Sequence, residues 1–203
     1  DSSDCLEVLV DVMRALLGAD TDRAVAVLAQ GDWPVEALLE LLQRHRLTGY
    51  FHTLVRNTPL AARFQATAAG DPATAYRIQA QRADNNLELV AEIQQRFGGA
   101  SVPLLTLKGL CQAQRFFGDI HSRFMWDLDI LVHPEQLAAA VVQLEACGLR
   151  PTSTINIGSR HLFWGIHAIE FRGEKGKVDI HIALRALPGV QLDDTAIWAR
   201  AEH

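Results

Sequence analysis

Long apolar runs are absent from this sequence, although 49% of its residues are hydrophobic and only 21% are charged. No stretch approaches the ~18 consecutive apolar residues that a membrane-spanning helix needs, and no charged-then-apolar leader is recognisable. This balance is typical of globular proteins that bury a substantial core. We therefore expect a cytoplasmic protein without a membrane partner, in a chain that begins at Asp1 rather than at a methionine.

Cysteine is scarce, and positive charge is not in excess. Cys5, Cys111 and Cys147 form an odd set without paired spacing, which argues against a disulfide framework. We expect free thiols in a reducing compartment, with Cys111 and Cys147 buried in apolar helical patterns. The 19 Lys and Arg residues against 24 Asp and Glu residues give a net charge of −5. This argues against tight, unspecific nucleic-acid binding, but a local basic patch leaves a nucleic-acid partner open.

Several motifs of common enzyme classes are also missing. The sequence has no G-x-x-x-x-G-K-[ST] phosphate loop, no G-x-S-x-G elbow and no glycine-rich kinase loop. Four histidines invite a zinc interpretation, but no H-x-x-x-H or C-x-x-C spacing supports one; they are His121, His161, His167 and His181. Any phosphoryl chemistry must therefore come from another arrangement.

The hydrophobic period divides the chain into two parts. Apolar residues recur at helical spacing up to Gly98-Gly99, which predicts an all-helical module over residues 1–99. The period then changes, and we expect an α+β fold with a mixed sheet over residues 100–203. The predicted elements are a strand at 102–107, a helix at 110–117, a strand at 126–132, a helix from 133 to Gly148, a hairpin of strands 167–172 and 177–184, and a helix at 192–201.

Two of the predicted strands carry acids on one face. In Trp126–Val132 every even position is apolar, so Asp127 and Asp129 share the opposite face. In the strand 177–184, Asp179 and His181 lie opposite the apolar face. Like charges this close repel, and Mg²⁺ (or Mn²⁺) would remove the repulsion while keeping room for phosphate oxygens. Three carboxylates on two paired strands suit two-metal phosphoryl chemistry, although exposed acids on edge strands also suppress aggregation.

Basic residues precede these acids. Lys108 ends the first predicted strand and Gly109 opens the next helix, whose free N–H groups would cradle a phosphate. Arg123 is placed to clamp phosphate oxygens, and His181 to support a metal ligand. The alternatives are a surface lysine beside a turn glycine for Lys108 and a loop salt bridge for Arg123.

Taken together, these residues resemble a known family. The order of strand, Lys108-Gly109, helix, Arg123, D-x-D at Asp127 and Asp129, and Asp179 in V-D-I-H resembles the polymerase-β-like nucleotidyltransferase superfamily. It is more closely similar to a bacterial group described only as uncharacterised nucleotidyltransferases. The likeness covers roughly residues 102–198 well and the helical half more weakly. The superfamily usually has Gly-Ser or Gly-Gly where this chain has Lys108-Gly109, a form similar to that of the narrower group.

The resemblance implies a function. We expect a Mg²⁺-dependent enzyme that moves a nucleoside monophosphate from an NTP, with ATP the expected nucleotide, to an acceptor. Asp127 and Asp129 would bind both metals, and Asp179 would bind the metal that activates the acceptor hydroxyl and serve as or orient the general base. Lys108, the amide of Gly109 and Arg123 would hold the phosphates.

The acceptor and the assembly stay open. A hydroxylated small molecule, a protein side chain and an RNA end all fit the implied reaction, including a toxin-like enzyme that modifies tRNA or protein. The alternative is a regulatory module that binds a nucleotide without turning it over. The oligomeric state does not follow from the sequence.

Overall fold

A computed structural model describes residues 2–17, 20–30, 35–65, 67, 70–153, 168–184 and 194–201. Eight α-helices lie in these ranges: α1 (Ser2–Leu17), α2 (Thr21–Gln30), α3 (Val35–Arg44), α4 (Thr48–Val55), α5 (Pro72–Gly99), α6 (Gly109–Gln112), α7 (Leu137–Ala146) and α8 (Asp194–Ala199). Five strands accompany them: β1 (Leu104–Leu107), β2 (Leu128–Val132), β3 (Arg150–Pro151), β4 (Ala168–Gly173) and β5 (Gly176–His181). The predicted fold class, helices followed by a mixed α/β sheet, is confirmed.

The first four helices pack around their own apolar core. In α3 the buried leucines Leu38, Leu39 and Leu42 recur at the three- and four-residue spacing that places them on one face of a helix. They form one buried cluster with Phe51 and Phe64, whose rings meet edge to face at 4.8 Å. No helix within the described ranges is both long and apolar enough to cross a bilayer.

The five strands form one mixed sheet in the order β1-β2-β5-β4-β3. The central pair, β2 and β5, is parallel, and the other three pairings are antiparallel. One face is covered by a second apolar core that includes alternate residues of the strands and residues of α5 and α7. Its fully buried members include Leu89, Ile93, Phe97, Ile130, Leu144, Phe171, Val178 and Ile180. The opposite face is therefore the one that carries polar side chains.

The chain separates into two compact units, and the boundary differs from the expected position after residue 99. One unit comprises Asp1–Ala83 and Phe117–Phe124, and the other comprises Asp84–Phe116 and Met125–His203. The division falls inside α5, because the second half of that helix contributes Leu89, Ile93 and Phe97 to the core under the sheet. The division of the chain into a helical module over residues 1–99 and an α/β domain over residues 100–203 stays a prediction.

The observed strands are shorter than the apolar alternation that predicts them. β1 begins at Leu104 rather than 102, β2 at Leu128 rather than 126, and β5 ends at His181 rather than 184. Alternation in the sequence indicates which side chains are buried, but it does not show where a strand ends. A strand ends where its hydrogen-bonded neighbour ends, and β1 pairs with β2 at only four residues. Asp127 consequently lies just before β2, not within it.

The predicted helix at 110–117 is wrong in its second half. A four-residue α6 is followed by a π-helical turn over Ala113–Phe117, which helical periodicity cannot distinguish from an α-helix. The thiol prediction is half right: Cys147 is buried and free, but Cys111 is free and exposed. Burial raises the pKa of the Cys147 thiol. The histidines at 161 and 167 lie outside the described residues.

Candidate active site

A row of acidic side chains crosses the sheet on the face opposite the core. Asp129 of β2 pairs in register with Asp179 of β5, and Asp179 pairs in turn with Glu170 of β4. Their chain neighbours are buried in the core, so alternation turns all three acids to the other face. Asp127, two residues before Asp129, joins the same face. The structure thus brings the three sequence-predicted aspartates onto one surface.

Asp129 is the most enclosed of these carboxylates, with its side chain 10% exposed. Nζ of Lys108 donates to its Oδ1 at 2.8 Å, and Nε2 of His181 lies 2.8 Å from the same oxygen. Because an ionised carboxylate only accepts hydrogen bonds, Nε2 of His181 carries the hydrogen. Burial alone raises the pKa of Asp129, but the hydrogen bonds from His181 and Lys108 and the charge of Lys108 outweigh burial and lower it. The sequence-predicted His181 and Lys108 therefore meet at one aspartate.

Asp179 has the opposite electrostatic setting. Its Oδ1 is buried and accepts no hydrogen bond from the described part of the chain. Nζ of Lys177 is 3.5 Å from that oxygen, longer than a normal charge-assisted hydrogen bond. Burial raises the pKa of Asp179, the charge of Lys177 offsets part of the effect, and the charges of Asp127 and Asp129 raise it further. A buried carboxylate oxygen without a donor is an atom that a cation would satisfy.

Lys177 and Glu170 are members of this face that the sequence reasoning missed. Nζ of Lys177 lies 2.7 Å from Oε2 of Glu170 and donates to Oδ2 of Asp127 at 3.1 Å. The hydrogen bond to Glu170 raises the pKa of Lys177, burial opposes it, and Asp127 and the charge of Asp179 raise it further. The signal was available, because the alternation that pairs Asp179 with His181 also includes Lys177.

Lys108 has a strained backbone. It stands between β1 and α6 with φ 45° and ψ −107°, a conformation that a residue with a Cβ rarely adopts. Such strain persists only where surrounding contacts hold it, and it clusters at functional sites. Here the ion pair with Asp129 fixes the side chain, which is 57% exposed. α6 is only four residues long, so Gly109 can draw little on a helix dipole.

Arg123 belongs to the other compact unit, in the segment Phe117–Phe124. Its guanidinium carbon is 5.9 Å from the centroid of the Phe117 ring. The structure groups the predicted phosphate clamp with the helices, whereas Lys108 and the three aspartates lie in the unit of the sheet. A phosphate-binding role for Arg123 stays a prediction.

A separate cavity of about 220 Å³ lies within the helical unit. Arg46 and Arg82 lie over the Phe124 ring, with guanidinium carbons 5.1 and 5.7 Å from the ring centroid. Gln79 also lines the cavity, and its Nε2 donates to the carbonyl oxygen of His121 at 2.7 Å. The lining is mostly apolar, with cationic groups beside an aromatic ring. This cavity was not foreseen from the sequence.

The side chains of the acidic face are of the kind that bind a divalent metal, but they are not grouped around one point as metal ligands would be. Within the described ranges, no group of three or more His, Cys, Asp and Glu side chains is arranged to hold a metal ion. Amines contact these carboxylates: Lys177 contacts Asp127 and Asp179, and Lys108 contacts Asp129. The donors themselves are carboxylate oxygens, which Mg²⁺ and Mn²⁺ prefer, and Oδ1 of Asp179 still lacks a donor.

Comparison with known proteins supplies a family. A family model described as "Uncharacterised nucleotidyltransferase" matches residues 31–203. None of the curated proteins matches the sequence. A solved structure of the antibiotic-resistance factor ANT(2'')-Ia is similar at a TM-score of 0.38 and 16% identity, over 53% of this chain. This chain spans 51% of that structure's length, and a likeness of this size carries no argument about either fold or function.

Proposed function

The chain belongs to this family of uncharacterised nucleotidyltransferases, and on that premise we propose that it transfers a nucleoside monophosphate from an NTP to an acceptor hydroxyl with Mg²⁺ or Mn²⁺. The observation that carries the proposal is the acidic face of the sheet, where Asp127, Asp129 and Asp179 share one surface. Oδ1 of Asp179, which is buried and has no hydrogen bond from the described residues, supports a cation among them. ATP is the nucleotide that we propose.

Each aspartate has a role in this proposal. Asp127 and Asp129 would hold the metal, and Asp179 would complete the site on the acceptor side. When bound, the metal would supply charge neutralisation at the phosphates and activation of the acceptor hydroxyl. His181 and Lys108 keep Asp129 ionised and oriented through their contacts at 2.8 Å. Asp179 would orient the acceptor hydroxyl or take its proton, a role that suits its place beside Asp129 in the sheet.

The phosphates need cationic partners as well as metal. Lys108 is half exposed while its Nζ contacts Asp129, so it can exchange that partner for a phosphate oxygen without leaving the site. The amide of Gly109 and the guanidinium of Arg123 are the other phosphate contacts that we propose. In the reaction the acceptor oxygen bonds to the α-phosphorus, the bond from that phosphorus to the bridging oxygen breaks, and pyrophosphate leaves. The acceptor's proton passes to Asp179.

The acceptor is a hydroxylated small molecule, a protein or an RNA in this proposal. An acidic chain of net charge −5 favours the first two over RNA. The second candidate function is a regulatory module that binds the nucleotide without turnover. The specific observation in its favour is that amines already neutralise the carboxylates, with Lys177 on Asp127 and Lys108 on Asp129.

Labelled nucleotides test the proposal. The protein is incubated with Mg²⁺, a cell extract as the source of acceptors, and ATP labelled either at the α- or at the γ-phosphorus. We expect the α-label to enter an acceptor and the γ-label to appear only in pyrophosphate. Transfer of the γ-label would indicate a kinase instead. Tight ATP binding without pyrophosphate release in any extract would favour the regulatory module.

A further inference from the structure

Lys177 occupies the centre of the acidic face. Its Nζ lies within 3.5 Å of three different carboxylates, those of Glu170, Asp127 and Asp179. Asp127 and Asp179 are proposed metal ligands, whereas Glu170 lies on the neighbouring strand β4 and is not one. The Lys177 side chain is 21% exposed, so its charge is only partly screened by water. A single ammonium thus contacts three acids at once and offsets part of their combined negative charge.

We propose that Lys177 is a built-in counter-cation that competes with the divalent metal for Asp127 and Asp179, and that Glu170 is the positioning residue that retains Lys177 when the metal binds. This inference rests on the proposed function of the same site. Glu170 is suited to the role because it makes the shortest of the three contacts, at 2.7 Å against 3.1 and 3.5 Å. Arg172 also reaches it, with Nε 3.1 Å from Oε1, and helps to hold the carboxylate in place.

The arrangement accounts for the charge balance of this face. Lys177 contacts both Asp127 and Asp179, and its charge relieves the repulsion between them that would otherwise oppose folding. A short shift of Nζ toward Glu170 would free Oδ2 of Asp127 and leave Oδ1 of Asp179 open to a cation. The device would couple metal entry to a lysine movement along one face of the sheet.

Manganese binding without nucleotide is the readout, measured as free Mn²⁺ by electron paramagnetic resonance. Lys177→Met removes the competing charge, and we expect Mn²⁺ to bind about tenfold more tightly, the order expected for a divalent ion that loses a unit charge a few ångströms away. Lys175→Met is the matched control. It removes the same charge from the same hairpin, but Lys175 pairs with Glu92 instead, so its Mn²⁺ affinity should stay within about twofold of the wild type.

Glu170→Gln tests the second half of the inference. Without Glu170 to retain it, Lys177 stays on Asp127 and Asp179, and we expect Mn²⁺ to bind several-fold more weakly than to the wild type. The exposed Glu174→Gln controls for the lost charge. In the double variant with Lys177→Met, the effect of Glu170→Gln should largely disappear, because it acts through the lysine. Circular dichroism of each variant checks that the fold is intact.

The outcomes separate this inference from the function on which it rests. If the wild type binds Mn²⁺ but Lys177→Met binds no more tightly than Lys175→Met, competition by Lys177 is refuted while the metal site stands. If Glu170→Gln weakens binding equally with and without Lys177, the retaining role of Glu170 is refuted. If neither the wild type nor Lys177→Met binds Mn²⁺, the metal site itself fails, and the proposed function fails with it.

Discussion

Asp129 and Asp179 are register partners on adjacent parallel strands, yet their pKa values are shifted in opposite directions. The difference comes from their donors. His181 and Lys108 both contact Oδ1 of Asp129, whereas Oδ1 of Asp179 is buried without a hydrogen bond from a described residue. The surroundings of Asp129 favour its ionised form, whereas those of Asp179 favour the protonated form. The pair therefore places a carboxylate that keeps its charge beside one that takes up a proton more readily.

Replacing Asp179 or Asp129 by the isosteric asparagine should change the free energy of unfolding in opposite directions. Above its raised pKa, the ionised Asp179 side chain destabilises the folded state. This destabilisation disappears as the pH falls to the ordinary aspartate pKa of ~4. Asp179→Asn should therefore raise the free energy of unfolding at pH 7 by ~1 kcal/mol, because a neutral amide replaces a carboxylate whose charge burial and neighbouring acids oppose. The gain should shrink toward pH ~4.5, where less of the carboxyl is ionised.

Asp129 should behave in the reverse manner. Its lowered pKa means that the ionised group stabilises the folded state above the ordinary aspartate pKa, and that this stability is lost as the pH falls through the lowered pKa. Asp129→Asn should lower the free energy of unfolding at pH 7 by ~1–3 kcal/mol, because charge-assisted hydrogen bonds are lost. Urea denaturation in EDTA measures both variants. Shifts of the same sign at pH 7 would contradict this description of the pair.

The strained backbone of Lys108 predicts a difference between two truncations. Lys108→Ala and Lys108→Gly both remove the ion pair with Asp129, but only glycine accepts φ 45° and ψ −107° without strain. Lys108→Gly should therefore be the more stable of the two by ~1 kcal/mol. Both should bind ATP more weakly than the wild type. Equal melting temperatures for the two variants would show that the backbone is not strained there.

A matched pair of glycines tests the packing of the helical unit. A Cβ at Gly49 would lie 2.6 Å from Oε1 of the buried Gln79, whereas a Cβ at Gly98, also helical, would meet nothing within 4 Å. Gly98→Ala should be neutral or stabilising by up to ~1 kcal/mol. Gly49→Ala should be destabilising by ~1–3 kcal/mol, because it displaces Gln79 from its hydrogen bond to His121.

Thermal unfolding compares these two variants. The double variant Gly49→Ala with Gln79→Ala provides the control, because the shorter side chain at position 79 leaves room for the new methyl group. Its stability should exceed that expected from adding the two single effects. Strict additivity would mean that the two positions do not touch.

The sequence predicted the acidic face well for a physical reason. Alternation along a strand depends only on local geometry, so it correctly placed Asp129, Asp179 and His181 opposite the apolar residues. Which strands are neighbours is decided by pairing over long distances in the chain. The row from Asp129 through Asp179 to Glu170 therefore appears only when β2, β5 and β4 are seen side by side.

What the sequence missed depends on tertiary contacts. Glu170 looked like any exposed residue of a strand, because nothing near it in the chain indicates a lysine 2.7 Å away. The division inside α5 was equally hidden. Its helical period continues without a break from Pro72 to Gly99, although its two halves belong to different units.

The third carboxylate separates binding from turnover in the proposed reaction. Asp179→Ala should leave ATP binding within ~1 kcal/mol of the wild type and lower turnover by ~10²-fold or more, the scale of losing a positioned acid–base group. Asp129→Ala should damage both, because that side chain holds the metal that carries the triphosphate. Titration calorimetry and pyrophosphate release measure the two quantities. Full activity in Asp179→Ala would refute its assigned role.

The shared metal and nucleotide site is tested most directly by melting temperatures with Mg²⁺, with a non-hydrolysable ATP analogue, and with both. We predict that the two ligands together raise the wild-type melting temperature by more than the sum of their separate shifts, because each completes the other's coordination. Asp127→Asn should lose this excess, whereas the exposed Asp22→Asn should keep it. Equal shifts in the wild type and Asp127→Asn would contradict the account.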